Sequence, residues 1–226
     1  MIDLQQLRRG TLQTDPYRWA EVGNLFPPAD AEALAASYPF DHYKLVADYG
    51  GEKDYEYEAR PLVVMGRTAV SYRERLSDAW QQLADDFLSP AYRTALAELT
   101  GCDLSKALLE VNVFHYGPGA SLGPHPDLPD KIVTHVLYFN RNWNNRDGGC
   151  LTVLRSKSPA SIAAEISPVI GNSAVLVRSD KSWHAVSKVV AGSRESRRSL
   201  TATFYRPGSV SSMWPPGDET PLHDYK

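Results

Sequence analysis

The chain has 226 residues, 24 Lys and Arg against 27 Asp and Glu, and a net charge of −3. That length suits one sizeable domain with its own core, and the mild acidity argues against a nucleic-acid partner. No apolar run approaches the roughly 20 residues of a membrane span.

The opening MIDLQQLRRG lacks the apolar region of a secretory signal, so a cytoplasmic protein with no membrane partner is expected. The two cysteines, Cys102 and Cys150, have no metal-like spacing and read as free thiols in a reducing compartment. In residues 1–27, Tyr17, Trp19, Leu25 and Phe26 suggest a strand or loop docked on the core. Pro27-Pro28 then breaks the chain, and Asp30 is placed to cap a short helix over Ala31–Ser37. Phe40–Val63 is polar and tyrosine-rich and reads as a long loop with short strand pieces. Long loops often line binding sites, which makes Tyr55, Tyr57 and Arg60 candidate substrate contacts. From Ser71 to Leu99 the spacing of Leu76, Trp80, Leu83 and Phe87 is helical. Pro90 interrupts it and Gly101 closes it.

After Gly101 the character changes to short β segments separated by turns. The candidates are Ala107–Tyr116, Lys131–Asn140, Gly149–Arg155, Ile166–Ile170, Ser173–Arg178, His184–Val190 and Arg197–Tyr205. Such spacing predicts an antiparallel sandwich or barrel. The expected fold class is mainly β with flanking helices: a double-stranded β-helix (jelly roll, cupin-like) with a helical N-terminal half. Residues 1–105 would form helical and loop support, 106–206 the jelly-roll core, and 207–226 an irregular tail.

The chemistry concentrates in VNVFHYGPGASLGPHPD, residues 111–127. His125 and Asp127 are two apart, so on extended chain they share a face. With His184 they make two imidazoles and one carboxylate, the facial arrangement that suits non-haem Fe(II) and leaves open positions for a cosubstrate and O₂. On the last predicted strand, alternation puts Arg197, Ser199, Thr201 and Thr203 on one face. A buried guanidinium needs a carboxylate, and its planar fork suits bidentate recognition of one. Arg198 competes for that role if the phase is off by one. Trp183 precedes His184 and is a candidate for the pocket mouth. His115 and His135 alternate away from the inferred pocket.

Four segments in order carry a family resemblance: VFHYGPGASLGPHPD, VLYFNRNWNNRDGGCLTVL, RSDKSWHAVSKV and RRSLTATFYRP. From about Leu108 to Tyr205 the chain resembles the Fe(II)/2-oxoglutarate-dependent dioxygenase superfamily, in its prolyl-hydroxylase-like branch. The resemblance covers somewhat under half of the chain; the length makes a single oxygenase domain over 1–226 the expectation. The resemblance makes His125, Asp127 and His184 the iron ligands and Arg197, with Ser199, the partner of the distal 2-oxoglutarate carboxylate. It gives Tyr116 and Tyr138 cosubstrate contacts, and Asn112 shares the face of Tyr116. The implied cofactors are Fe(II), 2-oxoglutarate and O₂, with ascorbate as a stimulant. The expected activity is hydroxylation of an unactivated C–H bond in a small amino-acid-derived or natural-product substrate, free or tethered to a carrier protein. The alternatives are a peptidyl-prolyl hydroxylase and, from another class, a non-catalytic cupin-like metal-binding or ligand-binding domain.

Overall fold

The computed structural model describes residues 1–49 and 54–226. Its centre is an antiparallel sheet that curls almost closed into a jelly roll. Eleven strands contribute in the path β1-β9-β6-β11-β4-β3-β5-β10-β7-β8, with β2 paired to β3. The strands are β1 (Trp19–Val22), β2 (Lys44–Asp48), β3 (Tyr55–Val63), β4 (Leu108–Tyr116), β5 (Ser121–His125) and β6 (Lys131–Tyr138). After them come β7 (Leu151–Leu154), β8 (Ile162–Ile166), β9 (Ser173–Val177), β10 (His184–Val186) and β11 (Arg197–Tyr205).

Four helices buttress one face: α1 (Leu4–Arg9), α2 (Pro28–Ala36), α3 (Asp78–Leu88) and α4 (Pro90–Thr100). Ser77 caps α3 by accepting from Trp80 N, and Ser89 caps α4 by accepting from Tyr92 N. Pro90 opens α4, where its missing N–H costs nothing. Gly101 ends it in the left-handed conformation. Their apolar faces meet the outer side chains of the sheet in one core, where Trp80, Phe87 and Tyr92 join Leu137, Leu200 and Phe204. A second cluster, including Phe114, Tyr116, Val136 and Tyr138, sits on the inner side of the sheet.

Alternation explains the division. On β4 and β11, Val111, Val113, Leu200, Ala202 and Phe204 belong to the outer core. Asn112, Phe114, Tyr116, Ser199, Thr201 and Thr203 line an internal cavity instead. His115 and His135 point outward into protein. The His115 Nδ1 lies 2.6 Å from Ser196 Oγ, and the His135 Nδ1 lies 2.9 Å from Tyr92 Oη.

Several expectations need correction. Pro27-Pro28 does not break the chain; Pro28 starts α2, and Asp30 lies in its first turn. Phe40–Val63 is not a long loop. It supplies β2 and the nine-residue β3, although residues 50–53 of that stretch lie outside the described residues. The N-terminal half is therefore not helical support alone, since β1 pairs β9 and β3 pairs both β4 and β5. The segment before His125 is a strand, β5, despite its Gly and Pro. The eighth strand falls earlier than Ile166–Ile170, and β10 is shorter than expected. The tail after Pro207 is irregular but docked. Tyr225 stacks on His115 at 3.7 Å between ring centroids, and the indole N–H of Trp214 donates to Asn112 Oδ1 at 2.7 Å.

Candidate active site

Strands β5 and β10 pair antiparallel, with His184 directly opposite His125. Cross-strand partners have Cβ atoms about 5 Å apart, so the pairing itself brings two imidazoles together, with ring centroids 4.4 Å apart. Asp127 follows β5 in the loop leading to β6. Ligand atoms of His125, Asp127 and His184 all lie within 4.8 Å of one another, and all three residues are buried.

Each imidazole is oriented by its own backbone. Nδ1 of His125 lies 2.8 Å from Gly123 O, and Nδ1 of His184 lies 2.8 Å from Ser182 O. A carbonyl can only accept, so Nδ1 carries the proton and Nε2 keeps the lone pair that a metal requires. The Asp127 carboxylate is held at both oxygens. Lys131 Nζ donates to Oδ1 at 2.6 Å and Thr134 Oγ1 to Oδ2 at 2.9 Å. Burial alone would raise the Asp127 carboxyl. The Lys131 ammonium works against it through both its charge and its hydrogen bond, and the group is held well below the usual carboxylate range. The site therefore offers two neutral imidazoles and one ionised carboxylate, a donor set that fits Fe(II).

A second polar feature lies in the same cavity. Arg197, which opens β11, is buried and donates from Nη1 to Ser199 Oγ at 2.6 Å. Its guanidinium carbon lies 4.8 Å from the ring centroid of Tyr116 and 5.3 Å from that of Tyr138. Nε of Arg197 and the hydroxyl of Tyr138 are buried without a hydrogen-bond partner among the described residues. Burial pushes the Tyr116 phenol up to about 12 and that of Tyr138 higher still, while Arg197 pulls both the other way. Both phenols stay protonated and able to donate. One guanidinium and these hydroxyls form a cradle for a carboxylate. Asn140 fixes the strand carrying Arg197, donating to Ser196 O at 2.9 Å and accepting from Arg198 N at 2.8 Å. Arg198 itself packs on the other side, over Tyr38 and Phe40. Arg197 is thus the arginine that faces the cavity.

The cavity encloses about 160 Å³ and links the two features, with Arg197, Asp127 and His184 all in its lining. A larger open cleft of about 620 Å³, between Pro61 and the tail, contains none of them. Register orders the lining side chains in layers across β4, β11 and β6. Tyr116 faces Arg197; Ser199 lies between Phe114 and Tyr138; Thr201 between Asn112 and Val136; Thr203 between Glu110 and Thr134. Arg197 and Glu110 are therefore at opposite ends. Six residues of strand separate Arg197 from Thr203, about 20 Å at roughly 3.3 Å per residue.

The other substrate candidates divide. Tyr57 and Asn112 line the cavity. Arg60 does not: it is buried and anchored to Asp41, with Nε donating to the carboxylate at 3.1 Å and to the carbonyl at 3.0 Å. A guanidinium buried so deeply needs a carboxylate within the fold, and Asp41 supplies it. Trp183 is outside the lining of that cavity but lines a second pocket, of about 230 Å³, together with His125, Asp127 and Arg178. Sequence reasoning did not single out Lys131, Glu110 or the tail residue Met213, all of which line the cavity.

An antiparallel jelly roll with a buried His-Asp-His cluster and an inward arginine in one cavity defines a class of cupin-like metal-site folds. Within it, residues 111–205 match the family model described as the 2OG-Fe(II) oxygenase superfamily. That match covers 95 of the 226 residues, the stretch that carries His125, Asp127, His184 and Arg197. No curated protein sequence matches it.

Solved structures share the fold. A prolyl-4-hydroxylase from Pseudomonas putida superimposes with a TM-score of 0.60 at 23% identity, over 89% of this chain and 99% of that one. A prolyl hydroxylase from Trichoplax adhaerens, in complex with a hypoxia-inducible-factor peptide fragment, gives 0.57 at 15% identity over 89% and 88%. The non-haem α-ketoglutarate-dependent epimerase SnoN from nogalamycin biosynthesis gives 0.53 at 13% identity over 98% and 91%.

Proposed function

We propose that this enzyme hydroxylates an unactivated C–H bond of a small amino-acid-derived or natural-product substrate, free or tethered to a carrier protein. We assign the metal to His125, Asp127 and His184, and the distal carboxylate of 2-oxoglutarate to Arg197 with Ser199. When bound, Fe(II) with 2-oxoglutarate and O₂ supplies the oxidising chemistry, and the cosubstrate leaves as succinate and CO₂. Ascorbate is expected to stimulate by keeping the iron reduced. The protein's own contribution is geometric and electrostatic. Lys131 and Thr134 hold Asp127 ionised and oriented. Tyr116 and Tyr138 present phenols beside Arg197. Phe114, Val136 and Leu151 give the cavity apolar walls. Site selection then falls to whatever holds one C–H nearest the metal.

The observation that carries this reading is that Asp127 and His184 of the His-Asp-His cluster share one cavity with Arg197. Its volume of about 160 Å³ lies below the roughly 300–1,000 Å³ of pockets for drug-sized ligands, which favours a small substrate. The fold likeness to prolyl hydroxylases favours a peptidyl-prolyl substrate as the second reading. We take the whole chain as one oxygenase domain. The unpaired thiols Cys102 and Cys150 fit a cytoplasmic location.

The test is anaerobic addition of Fe(II) and then 2-oxoglutarate, followed by the weak visible charge-transfer band of the chelate. The band forms in the wild type, and Arg197→Ala weakens 2-oxoglutarate by on the order of 100-fold, from loss of a bidentate charge-assisted pair. Unchanged affinity in that variant overturns the assignment. Succinate release driven by proline-containing peptides, and by none of the free amino acids, would select the second reading.

A further inference from the structure

The far end of the cavity carries a charged group that the proposed reaction does not use. Glu110 lies on β4, is 2% exposed, and lines the cavity with Asn112, Lys131 and Thr203. Its Oε1 accepts from Asn112 Nδ2 at 3.1 Å. Its Oε2 is buried with no hydrogen bond of good geometry among the described residues, although Ser211 and the Met65 backbone approach the carboxylate. A buried acceptor of this kind is unfavourable unless a donor or cation completes it. Lys131, the neighbouring cation, is engaged at 2.6 Å with Asp127.

We propose that Glu110 is the specificity residue of this oxygenase and binds the ammonium group of an amine substrate, such as the α-amino group of a free amino acid. The proposal rests on the function proposed above and narrows its substrate class. Three observations support it. Glu110 and Arg197 sit at opposite ends of the register, so the distal carboxylate held by Arg197 lies away from Glu110, which shares its layer with Thr134 beside Asp127. Once Asp127 offsets part of the metal charge and Arg197 part of the cosubstrate charge, Glu110 remains as an anionic acceptor in the substrate half. The tail packs at this end: Trp214 donates to Asn112 Oδ1, and Met213 is part of the cavity lining. A substrate nitrogen there has Oε2 of Glu110 as its acceptor and apolar neighbours that exclude competing water. Burial raises the Glu110 carboxyl, while Ser211, Asn112 and Lys131 pull it down. A bound ammonium favours the ionised form further.

The experiment is calorimetric titration of the protein, loaded anaerobically with Fe(II) and 2-oxoglutarate, against the free L-amino acids and their N-acetyl counterparts. At least one free amino acid is expected to bind, and its N-acetyl twin at least 10-fold more weakly. Glu110→Gln should cost that amino acid at least 10-fold, and Glu110→Asp should restore part of the loss. Equal binding of free and N-acetylated forms, or no binding by any free amino acid, overturns the proposal. So does unchanged affinity in Glu110→Gln, which would mean that Lys131 serves Glu110 internally. The wild-type comparison decides even if the variants fail to fold. Repeating the titration without metal separates the two readings. Amine-selective binding there with no Fe(II)–2-oxoglutarate chelate sinks the cofactor assignment and leaves Glu110 standing; a normal chelate without amine selectivity does the reverse.

Discussion

Thr134 shows how much of a metal site lies outside its ligands. Its hydroxyl donates to Asp127 Oδ2 while Lys131 takes Oδ1. Such partners fix ligand orientation, and their loss typically lowers metal affinity 10- to 100-fold. Thr134→Val, close to isosteric, is therefore expected to weaken Fe(II) or Mn(II) binding by about 10-fold with little change in fold. Metal titration by calorimetry checks this, and wild-type affinity would show the bond to be incidental. Gly148 is a different kind of necessity. Its φ is +71°, and an added Cβ would lie 1.9 Å from the carbonyl oxygen of Lys188. Gly171 also has positive φ, +87°, but nothing lies within 4 Å of its would-be Cβ. Gly148→Ala should therefore lower Tm well beyond Gly171→Ala, whose cost is the backbone strain of about 1–3 kcal/mol alone. Equal losses would show that the approach to Lys188 relaxes freely.

At the scale of elements, what was legible followed from period. The boundaries of β11 match the expected Arg197–Tyr205, and its alternation correctly turns Arg197 inward and Arg198 outward. The same alternation on β4 and β6 sends His115 and His135 outward. Glu110 was within reach by the same rule, being six residues before Tyr116, but a carboxylate on a strand gives no cue to its own burial. β5 and β3 escaped because Gly123, Pro124 and Pro61 dilute the strand signal, and only pairing with neighbours makes these segments strands. Arg60 escaped because its partner, Asp41, is set by tertiary approach. Asn140 links element to site, since both of its hydrogen bonds fix the chain on either side of Arg197. Asn140→Ala removes both and should cost about 1–3 kcal/mol of stability. It should also weaken 2-oxoglutarate while leaving metal affinity intact. A variant that loses both affinities in parallel would point to general unfolding instead.

Across the whole molecule, the two outward histidines make the scaffold acid-sensitive. His115 is enclosed by Tyr38, Phe40, Tyr43 and Tyr225, so the tail helps to bury it. Burial pushes its imidazole down to about 3, and Arg198 adds to the effect, while the Pro39 carbonyl opposes it. His135, under α4 beside Tyr92, is likewise pushed down to about 3 by burial. Unfolded histidine takes its proton near pH 6.5. Between about pH 6.5 and 3 the unfolded chain therefore binds more protons than the folded one, and folding stability falls as pH falls through that window. The stabilisation is complete above pH 6.5 and is lost on approaching pH 3, on the order of a few kcal/mol for each histidine. Urea unfolding at pH 7, 5.5 and 4.5 should show the decline. His135→Asn keeps a polar partner for Tyr92 but cannot titrate, so its stability should decline less steeply over the same range. A variant whose decline matches the wild type would mean that His135 already accepts a proton within the fold, and the acid limb would then belong to His115 and the carboxylates.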